Sequence, residues 1–215
     1  MRVGVLGSGT VGQTLAAGFL KHGHSVMLGT RDPKKPDVQQ WLKETPGAQA
    51  GTFAETAKFA DLAILATKGL VAETALELAG PENLAGKTII DATNPIAEAA
   101  PNQGVLSFTT GPNESLGEKV QAKVPQSHVV KAFNSVGAPQ MVDPHYEQGK
   151  PTMFICGDSA EAKAEVCAIV EAFGWEPFDC GGMIAARAIE PLCMLWCIPG
   201  FRQNMWTHAF KLLTR

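Results

Sequence analysis

Apolar runs and stretches of helical periodicity alternate regularly over the first part of the chain. Residues 2–7 form a short apolar run that ends in glycine, as expected for a central strand buried on both faces of a parallel sheet. Apolar side chains then recur at spacings of three and four over residues 11–20, and this pattern ends at His22 and Gly23 as a helix C-terminus does. Residues 25–29 form a second apolar run. Together the three segments predict a unit of strand, helix and strand.

The same alternation continues to residue 132. Since strands joined by helices pair in parallel through right-handed crossovers, the pattern predicts an α/β fold with a doubly wound parallel sheet of the Rossmann type. We expect further strands at residues 48–51, 61–67, 87–91 and 128–132, and helices at residues 37–44, 53–60, 70–79 and 115–122.

The pattern changes after a loop at residues 134–151, which is the candidate boundary between two parts of the chain. We expect a Rossmann domain over residues 1–133 and a C-terminal α/β extension over residues 134–215 that packs on the same sheet. The last helical stretch is more apolar than a solvated surface helix, so we expect it to cover the sheet or a dimer partner. The predicted elements are strands at 152–156 and 175–179, a helix at 159–173, and an apolar helical stretch at 183–213 broken near Pro199 and Gly200.

A glycine pattern follows the first predicted strand directly and opens the first predicted helix. Gly7 allows a tight turn, Gly9 lets a pyrophosphate approach the backbone, and Gly12 lets the helix lie close to the strand. The helix N-terminus supplies free N–H groups and a partial positive charge for a diphosphate. In this context the pattern predicts a dinucleotide site, whereas a glycine-rich turn alone can be structural. The candidate binding residues are Gly7, Ser8, Gly9, Thr10, Val11 and Gly12.

The end of the second predicted strand distinguishes the two nicotinamide dinucleotides. NAD enzymes usually place Asp or Glu there, where the carboxylate binds the ribose 2′-hydroxyl. This chain has Thr30 and Arg31, whose hydroxyl and guanidinium can bind a 2′-phosphate, and Lys34 or Lys35 can add charge. Asp32 is the alternative, as the carboxylate of an NAD site, but it precedes a proline as in a turn that opens a helix. The sequence therefore favours NADP(H) over NAD(H).

Composition excludes several other functions. The chain has 215 residues, of which 45% are hydrophobic and 18% charged, and its formal net charge of -3 gives no basic surface for nucleic acid. No run reaches the roughly 18 apolar residues of a membrane span, and glycines interrupt the N-terminal run as they would not in a signal peptide. The five cysteines have neither metal-site nor disulfide spacing, which indicates reduced thiols in a cytoplasmic protein. We expect a small-molecule substrate, no metal, no nucleic acid and no membrane.

Polar side chains end several predicted strands, where ligands bind in open sheets. Thr67, Thr93, Asn94 and Asn134 are the candidates, although each can instead cap a loop or form a turn. The sequence offers no obvious catalytic histidine, Tyr–Lys pair or serine triad. Hydride transfer between two stacked rings fits this pattern, because the protein's task is then to orient the rings and exclude water.

Further segments of the chain share features with one family. They are Asp91-Ala-Thr-Asn-Pro95, Lys131-Ala-Phe-Asn-Ser-Val-Gly137, Cys156-Gly-Asp158 with Glu161-Ala-Lys163, and Asp179-Cys-Gly-Gly182 with Ala186-Arg-Ala-Ile-Glu-Pro191. With the glycine pattern they resemble the NADP oxidoreductases dependent on coenzyme F420, an 8-hydroxy-5-deazaflavin, over essentially the whole chain. The cytosolic domain of the STEAP-type membrane ferric reductases is similar.

The resemblance implies roles for particular positions. The 2′-phosphate contacts would be Ser8, Thr10, Thr30, Arg31 and Lys35, and the wall beside the nicotinamide would be Thr67, Lys68 and Val71. The chain departs from the archaeal deazaflavin enzymes around Lys68, where they carry a proline and bulky ring side chains, and at Asn134, where they have histidine. The resemblance therefore implies NADP(H) as cofactor and leaves the second substrate open.

Two classes of function follow. The first is an NADPH-dependent oxidoreductase that transfers a hydride between NADP(H) and F420 or a flavin-like acceptor, with ferric, carbonyl or imine substrates as alternatives. The second is a non-catalytic NADP(H)-binding redox sensor that reports to a partner through the apolar C-terminal helices. We favour the enzyme, acting in the cytoplasm as a homodimer.

Overall fold

The computed structural model describes residues 1–214 and places the strands of that range in one eight-stranded sheet. Their order across the sheet is β3-β2-β1-β4-β5-β6-β7-β8, so the chain reverses direction across the sheet between β1 and β4. The predicted α/β fold with a doubly wound, mostly parallel sheet is confirmed. The strands are β1 Arg2–Leu6, β2 Ser25–Thr30, β3 Gln49–Thr52, β4 Leu62–Leu65, β5 Thr88–Asp91, β6 His128–Lys131, β7 Thr152–Gly157 and β8 Glu176–Asp179.

Helices connect these strands, and hydroxyl side chains start several of them. Thr52 forms a capping box with Glu55 at the start of α3, and Ser115 and Ser159 accept backbone hydrogen bonds at the starts of α6 and α7. Short 3₁₀ turns lie at Gly69–Val71, Ala138–Gln140 and Met183–Ala185. The α-helices are α1 Thr10–Lys21, α2 Pro36–Glu44, α3 Phe53–Phe59, α4 Ala72–Ala79, α5 Pro81–Leu84, α6 Leu116–Lys123, α7 Ala160–Ala172 and α8 Ala186–Gln203.

The direction of β7 differs from that of the strands before it. Strands β1 to β6 are parallel, whereas β7 runs antiparallel to β6 and β8 is parallel to β7. The connection from β6 to β7 contains only a 3₁₀ turn and no α-helix, so the chain returns directly beside β6 instead of crossing over. The last two strands extend the same sheet. The division of the chain at residues 133 and 134 stays a prediction.

Apolar side chains fill both faces of the sheet. One face packs against α1, α2 and α7, and Phe19 is fully buried there in edge-on contact with Phe173. The other face packs against α3, α4, α6 and the start of α8. Because β1, β4 and β5 are buried on both sides, their sequences are almost continuously apolar. This rigid centre fixes the carboxyl ends of the parallel strands, where the candidate site lies.

The C-terminal helix corrects the prediction for residues 183–213. Helix α8 continues unbroken through Pro199 and Gly200, so the predicted break there is wrong. The helix ends at Gln203, and Asn204 follows in the left-handed conformation with φ of 53°. Gly200 does not interrupt the helix; instead, a Cβ there would lie 2.2 Å from the Trp206 ring. Tertiary packing of the returning chain therefore outweighs the helix-breaking tendency of the Pro-Gly pair.

Residues Met183–Gln203 are long and apolar enough to cross a membrane by length and composition alone, within the part of the chain described. The expectation from sequence concerned uninterrupted apolar runs, and this segment is interrupted by Arg187, Glu190 and Arg202. About a third of this segment is buried inside the protein, including Ile189, Cys193 and Trp196. Other apolar side chains of the segment are exposed, namely Ile184, Leu195 and Phe201.

Candidate functional site

The turn between β1 and α1 depends on its three glycines in different ways. Gly7 has a φ of 137°, and a Cβ there would lie 2.3 Å from the carbonyl oxygen of Ala66 at the end of β4. A Cβ on Gly12 would lie 2.0 Å from the carbonyl oxygen of Gly7, so α1 could not approach the turn as closely. A Cβ on Gly9 would meet nothing within 4 Å. Gly9 therefore faces open space at the mouth of the turn.

The N-terminus of α1 presents free backbone donors beside this space. Gly9 is the N-cap residue, so no side chain caps the helix, and its first turn holds no acidic residue. Gly9 and Thr10 are exposed and Ser8 is half-buried, with the Ser8 carbonyl accepting a hydrogen bond from Gln13 Nε2 at 3.2 Å. An uncapped helix N-terminus with an open approach attracts anions. The geometry suits a phosphate group.

The end of β2 lies next to this turn and carries positive charge. The Gly7 N–H donates to the Gly29 carbonyl at 3.0 Å, and β2 then ends at the buried Thr30. Arg31 follows on the surface and forms no ion pair with any residue in the described range 1–214. An unpaired guanidinium beside an anion-binding turn provides charge for a second anionic group.

Some charged side chains in the loop after Arg31 are paired with neighbours, and others are not. Asp32 Oδ1 accepts a hydrogen bond from the Lys34 backbone N–H at 2.9 Å, as a turn residue does. Lys35 is ion-paired with Asp37 at 2.9 Å, and this hydrogen bond holds the pKa of the Asp37 carboxyl below its usual value. Lys34 is exposed and has no ion-pair partner among residues 1–214. Of the two lysines considered from sequence, Lys34 has the more available charge.

A cavity of about 440 Å³ opens at the carboxyl ends of the central strands. Five residues singled out from sequence line it together: Val11, Thr67, Lys68, Thr93 and Asn94. The other lining residues are Gly69, Leu70, Ala92, Ile96, Ala97, Glu98 and Ala99. The wall is largely apolar with a few polar groups, which is typical of a small-molecule site.

Two of the polar residues in this wall have unused binding capacity. Thr67 Oγ1 is buried and has no hydrogen-bond partner among the described residues. Lys68 is exposed and makes no ion pair within residues 1–214. Since buried polar atoms are rarely left unpaired, the Thr67 hydroxyl is a candidate contact for a bound molecule. Val71, expected on the same wall, is exposed nearby and is absent from the cavity lining given by the described residues.

Asn134 lies behind this cavity instead of lining it. Its backbone carbonyl accepts a hydrogen bond from Asn94 Nδ2 at 2.7 Å, and its own Nδ2 donates to Asn94 Oδ1 at 3.1 Å. The same Nδ2 also donates to the Ile189 carbonyl of α8 at 3.1 Å. The preceding residue, Phe133, is buried with a φ of 61°, which is strained for a large side chain. Asn134 therefore orients Asn94, which does line the cavity.

A buried ionic cluster adjoins these residues and was not recognised from sequence. Lys131 Nζ lies 2.8 Å from Asp91 Oδ2 and 2.8 Å from Glu190 Oε1, and all three side chains are at most 2% exposed. The same ammonium donates to the Thr93 carbonyl at 2.8 Å. Burial alone would lower the pKa of Lys131, but the two carboxylates outweigh it and the pKa is raised. The cluster therefore keeps its ammonium charged.

The ionic cluster joins elements that are distant in the sequence. Asp91 and Lys131 end the neighbouring strands β5 and β6, where they face each other in the strand register. Glu190 reaches them from α8, and its two oxygens also accept the backbone N–H groups of Leu116 and Gly117 at 2.9 Å and 2.8 Å. The sequence signal that could have indicated this cluster is a charged residue at the end of each of two apolar strands. Glu190 gave no such signal, because it comes from the opposite end of the chain.

The other titratable groups that the structure describes form neither a metal site nor a reactive thiol at Cys156 or Cys180. Among residues 1–214 no group of three or more His, Cys, Asp or Glu side chains is placed to hold a metal ion. Burial raises the pKa of the Cys156 thiol to about 12, and burial also raises the pKa of Cys180. These thiols stay protonated at neutral pH and are poor nucleophiles.

Comparison with known proteins places the chain among dinucleotide-dependent reductases. A family model described as NADP oxidoreductase, coenzyme F420-dependent, matches residues 2–95. A crystal structure from Arthrobacter sp. FB24, titled as a "putative f420 dependent nadp-reductase", superimposes with a TM-score of 0.93 at 36% identity and covers 100% of both chains.

A curated relative and a more distant structure extend this comparison. Metalloreductase STEAP3 of Rattus norvegicus is 31% identical over 203 residues, which cover 92% of this chain and 38% of that protein. The chain spans little more than a third of the length of the curated relatives it matches. The Streptomyces aurantiacus imine reductase shares the fold, with a TM-score of 0.66 at 18% identity over 94% of this chain and 63% of that one.

Proposed function

The chain belongs to the family of NADP oxidoreductases dependent on coenzyme F420, and on this premise we propose how it binds NADP(H) and what it reduces. The cofactor lies along the carboxyl edge of the parallel strands, with its 2′-phosphate beside β2 and its nicotinamide in the cavity beside β4 and β5. A hydride passes between the nicotinamide and a deazaflavin or flavin-like acceptor. The observation that carries the proposal is the unpaired Arg31 beside the open phosphate turn.

The diphosphate and the 2′-phosphate have separate binding groups in this arrangement. The backbone N–H groups of the turn and of the α1 N-terminus bind the diphosphate, because Gly9 leaves the approach open. Arg31 and Lys34 supply charge to the 2′-phosphate, and the hydroxyl groups of Ser8, Thr10 and Thr30 lie along the same edge. Lys35 is a weaker candidate for this role because Asp37 already neutralises its charge.

The cavity beside β4 and β5 suits the nicotinamide end. When bound there, the cofactor supplies the hydride, and the protein orients the ring and excludes water from it. The unpartnered Thr67 hydroxyl and the oriented Asn94 amide are available to a carboxamide group, and Lys68 stands at the rim. Asn134 acts on the cofactor only through Asn94. The apolar part of the wall, at Ile96 and Ala97, offers a surface for a flat ring.

A ferric or flavin substrate is the second candidate for the acceptor. The observation that favours it is the 31% identity to a metalloreductase over nearly the whole of this chain. A small carbonyl or imine compound is a less favoured acceptor, and a purely sensing role is the remaining alternative. Mixing the protein with NADPH and F420, FMN or ferric citrate in a stopped-flow instrument decides between them. Turnover with one acceptor assigns it, and tight NADPH binding without any turnover would favour the sensor.

The preference for NADP(H) is tested by Arg31→Ala. Loss of a charge-assisted hydrogen bond costs about 1–3 kcal/mol, so the Kd for NADPH should rise by roughly 5- to 150-fold while the Kd for NADH changes little. Lys43→Ala, which removes the same charge from an exposed position on α2, is the control. Asp32→Ala tests the alternative of an NAD site. Equal losses for NADPH and NADH in Arg31→Ala, or a selective loss of NADH binding in Asp32→Ala, would refute the proposal.

The working form of the enzyme is proposed to be a cytoplasmic homodimer. Its support is the exposed apolar set on the last helical segment, Ile184, Leu195 and Phe201, and the free state of all five cysteines. Sedimentation equilibrium of the wild type and of Leu195→Glu measures the assembly. A wild-type monomer at all concentrations would overturn the homodimer.

A further inference from the structure

The ionic cluster of Asp91, Lys131 and Glu190 holds one cavity residue by every polar group it has. The Thr93 N–H and hydroxyl both donate to Asp91 Oδ1, at 2.9 Å and 2.6 Å. The Thr93 carbonyl accepts from Lys131 Nζ at 2.8 Å. Thr93 and the next residue, Asn94, line the cavity beside β4 and β5. The backbone of the cavity wall is therefore fixed from behind by charged groups.

The cluster also links this wall to the C-terminal helix. Glu190 belongs to α8 and bonds both Lys131 and the first turn of α6. One residue earlier in α8, the Ile189 carbonyl accepts from Asn134 Nδ2, and Asn134 in turn bonds Asn94. Both Thr93 and Asn94 are thus connected to the start of α8 through hydrogen bonds between buried or half-buried groups.

Stability gives no reason for using charged residues here. Burying two carboxylates and an ammonium costs solvation, and apolar side chains of similar volume often fill such a place with equal or greater stability. What an apolar cluster cannot do is bind the N–H, hydroxyl and carbonyl of one residue at the same time. Hydrogen bonds to ionised groups are short and directional, so they fix a backbone conformation more strictly than packing does.

We propose that Asp91, Lys131 and Glu190 are positioning residues that hold Thr93 and Asn94 in the conformation that receives the nicotinamide half of NADP(H). This inference rests on the proposed function, because it assigns the cavity to the nicotinamide. It concerns one half of the cofactor only. The adenosine half, beside Arg31, is held by the turn after β1 and the end of β2, which the cluster does not touch.

Asp91→Asn is the test variant because it preserves shape and leaves Lys131 and Glu190 as a balanced pair. Asp91 accepts from Thr93 at Oδ1 and from Lys131 at Oδ2, whereas an asparagine would place an amide nitrogen, which cannot accept, at one of these two positions. We expect Kd for NADPH to rise at least fivefold, whereas Kd for 2′,5′-ADP, which lacks the nicotinamide half, stays within twofold. The fluorescence of bound NADPH should shift towards that of free NADPH.

Arg187→Met is the matched control. Arg187 also joins α8 to α6, through Glu118 at 2.7 Å and 2.9 Å, but it does not reach Thr93. Both Kd values should stay within twofold of the wild type. If Asp91→Asn does not fold, Thr93→Val tests the positioning role instead. This substitution keeps the shape of the side chain and removes only the hydrogen bond from the Thr93 hydroxyl to Asp91. A two- to threefold selective loss of NADPH binding is expected for it.

The results separate this inference from the proposed function. A wild-type protein that binds neither NADPH nor 2′,5′-ADP refutes the proposed function itself. A wild-type protein that binds both, with a test variant that binds both equally well, refutes the positioning role alone. The same holds if Asp91→Asn weakens 2′,5′-ADP as much as NADPH, because a general loss of structure would then explain the effect.

Discussion

Replacing Lys131 by methionine should strongly destabilise the protein although the side chain keeps its length. The change removes the only ammonium that the described residues place against Asp91 and Glu190 and leaves two carboxylates that are at most 2% exposed. Breaking a buried ion pair by removing one partner costs about 3–5 kcal/mol. For a chain of this size each kcal/mol lowers Tm by roughly 2–4 °C, so Tm should fall by about 6–20 °C.

The destabilisation by Lys131→Met should be larger at high pH than at low pH. Two buried carboxylates without a cation between them repel each other, so we expect the folded variant to bind a proton more readily than the unfolded chain. Since stability then increases as the pH falls, the difference between variant and wild type should be largest at pH 8 and smaller at pH 5. Urea unfolding followed by tryptophan fluorescence at both pH values measures this difference.

A second variant separates the charge from the packing of Lys131. In the triple variant Asp91→Asn, Lys131→Met and Glu190→Gln the charges are absent, so most of the loss at pH 8 should be recovered. A cost below about 1 kcal/mol for Lys131→Met would contradict the argument, because exposed ion pairs contribute no more than that. A cost that is the same at pH 5 and pH 8 would contradict it too.

Two further predictions concern regions outside the cavity. Gly200→Ala should displace the Trp206 ring from α8, because the new Cβ would lie 2.2 Å from that ring; the tryptophan emission should shift to longer wavelength, and unchanged emission would refute the contact. The pKa of Asp61 is lowered to about 2, mainly by its hydrogen bond with Arg2. The wild type should therefore lose the stabilisation from the Asp61 carboxylate as the pH falls from 4 to 2. In Asp61→Asn the free energy of unfolding should fall less steeply over the same range. Parallel slopes for wild type and Asp61→Asn would exclude that contribution.

The part of the fold that could be predicted from sequence is local. The strand before Gly7, the helix after Gly9 and the strand that ends at Thr30 each carry their own pattern, and the structure places them as expected. Polar residues at the ends of apolar strands, Thr67 and Asn94, also meet in one cavity. These features follow from short segments and from the rule that parallel strands end at the same edge.

The features that could not be predicted depend on long-range packing. The antiparallel direction of β7 follows from a connection without an α-helix, and the sequence alone does not reveal where such a connection leads. The unbroken helix at Pro199 and Gly200 depends on the chain that returns to pack on it. The pairing of Lys131 with Glu190 joins residues from different parts of the fold, and neither residue has a local pattern that names the other.

The three glycines of the turn after β1 differ in what the structure requires of them. Gly7 and Gly12 are required by contacts within the protein, so replacing either would be penalised in any descendant that still folds. Gly9 has free space around it, so within the described residues no contact requires a glycine there, and only a bound molecule would. A lineage that lost its need for the dinucleotide could therefore accept other residues at position 9 while retaining the other two. In distant homologues, substitution of the glycine at this single position would indicate that cofactor binding has been lost.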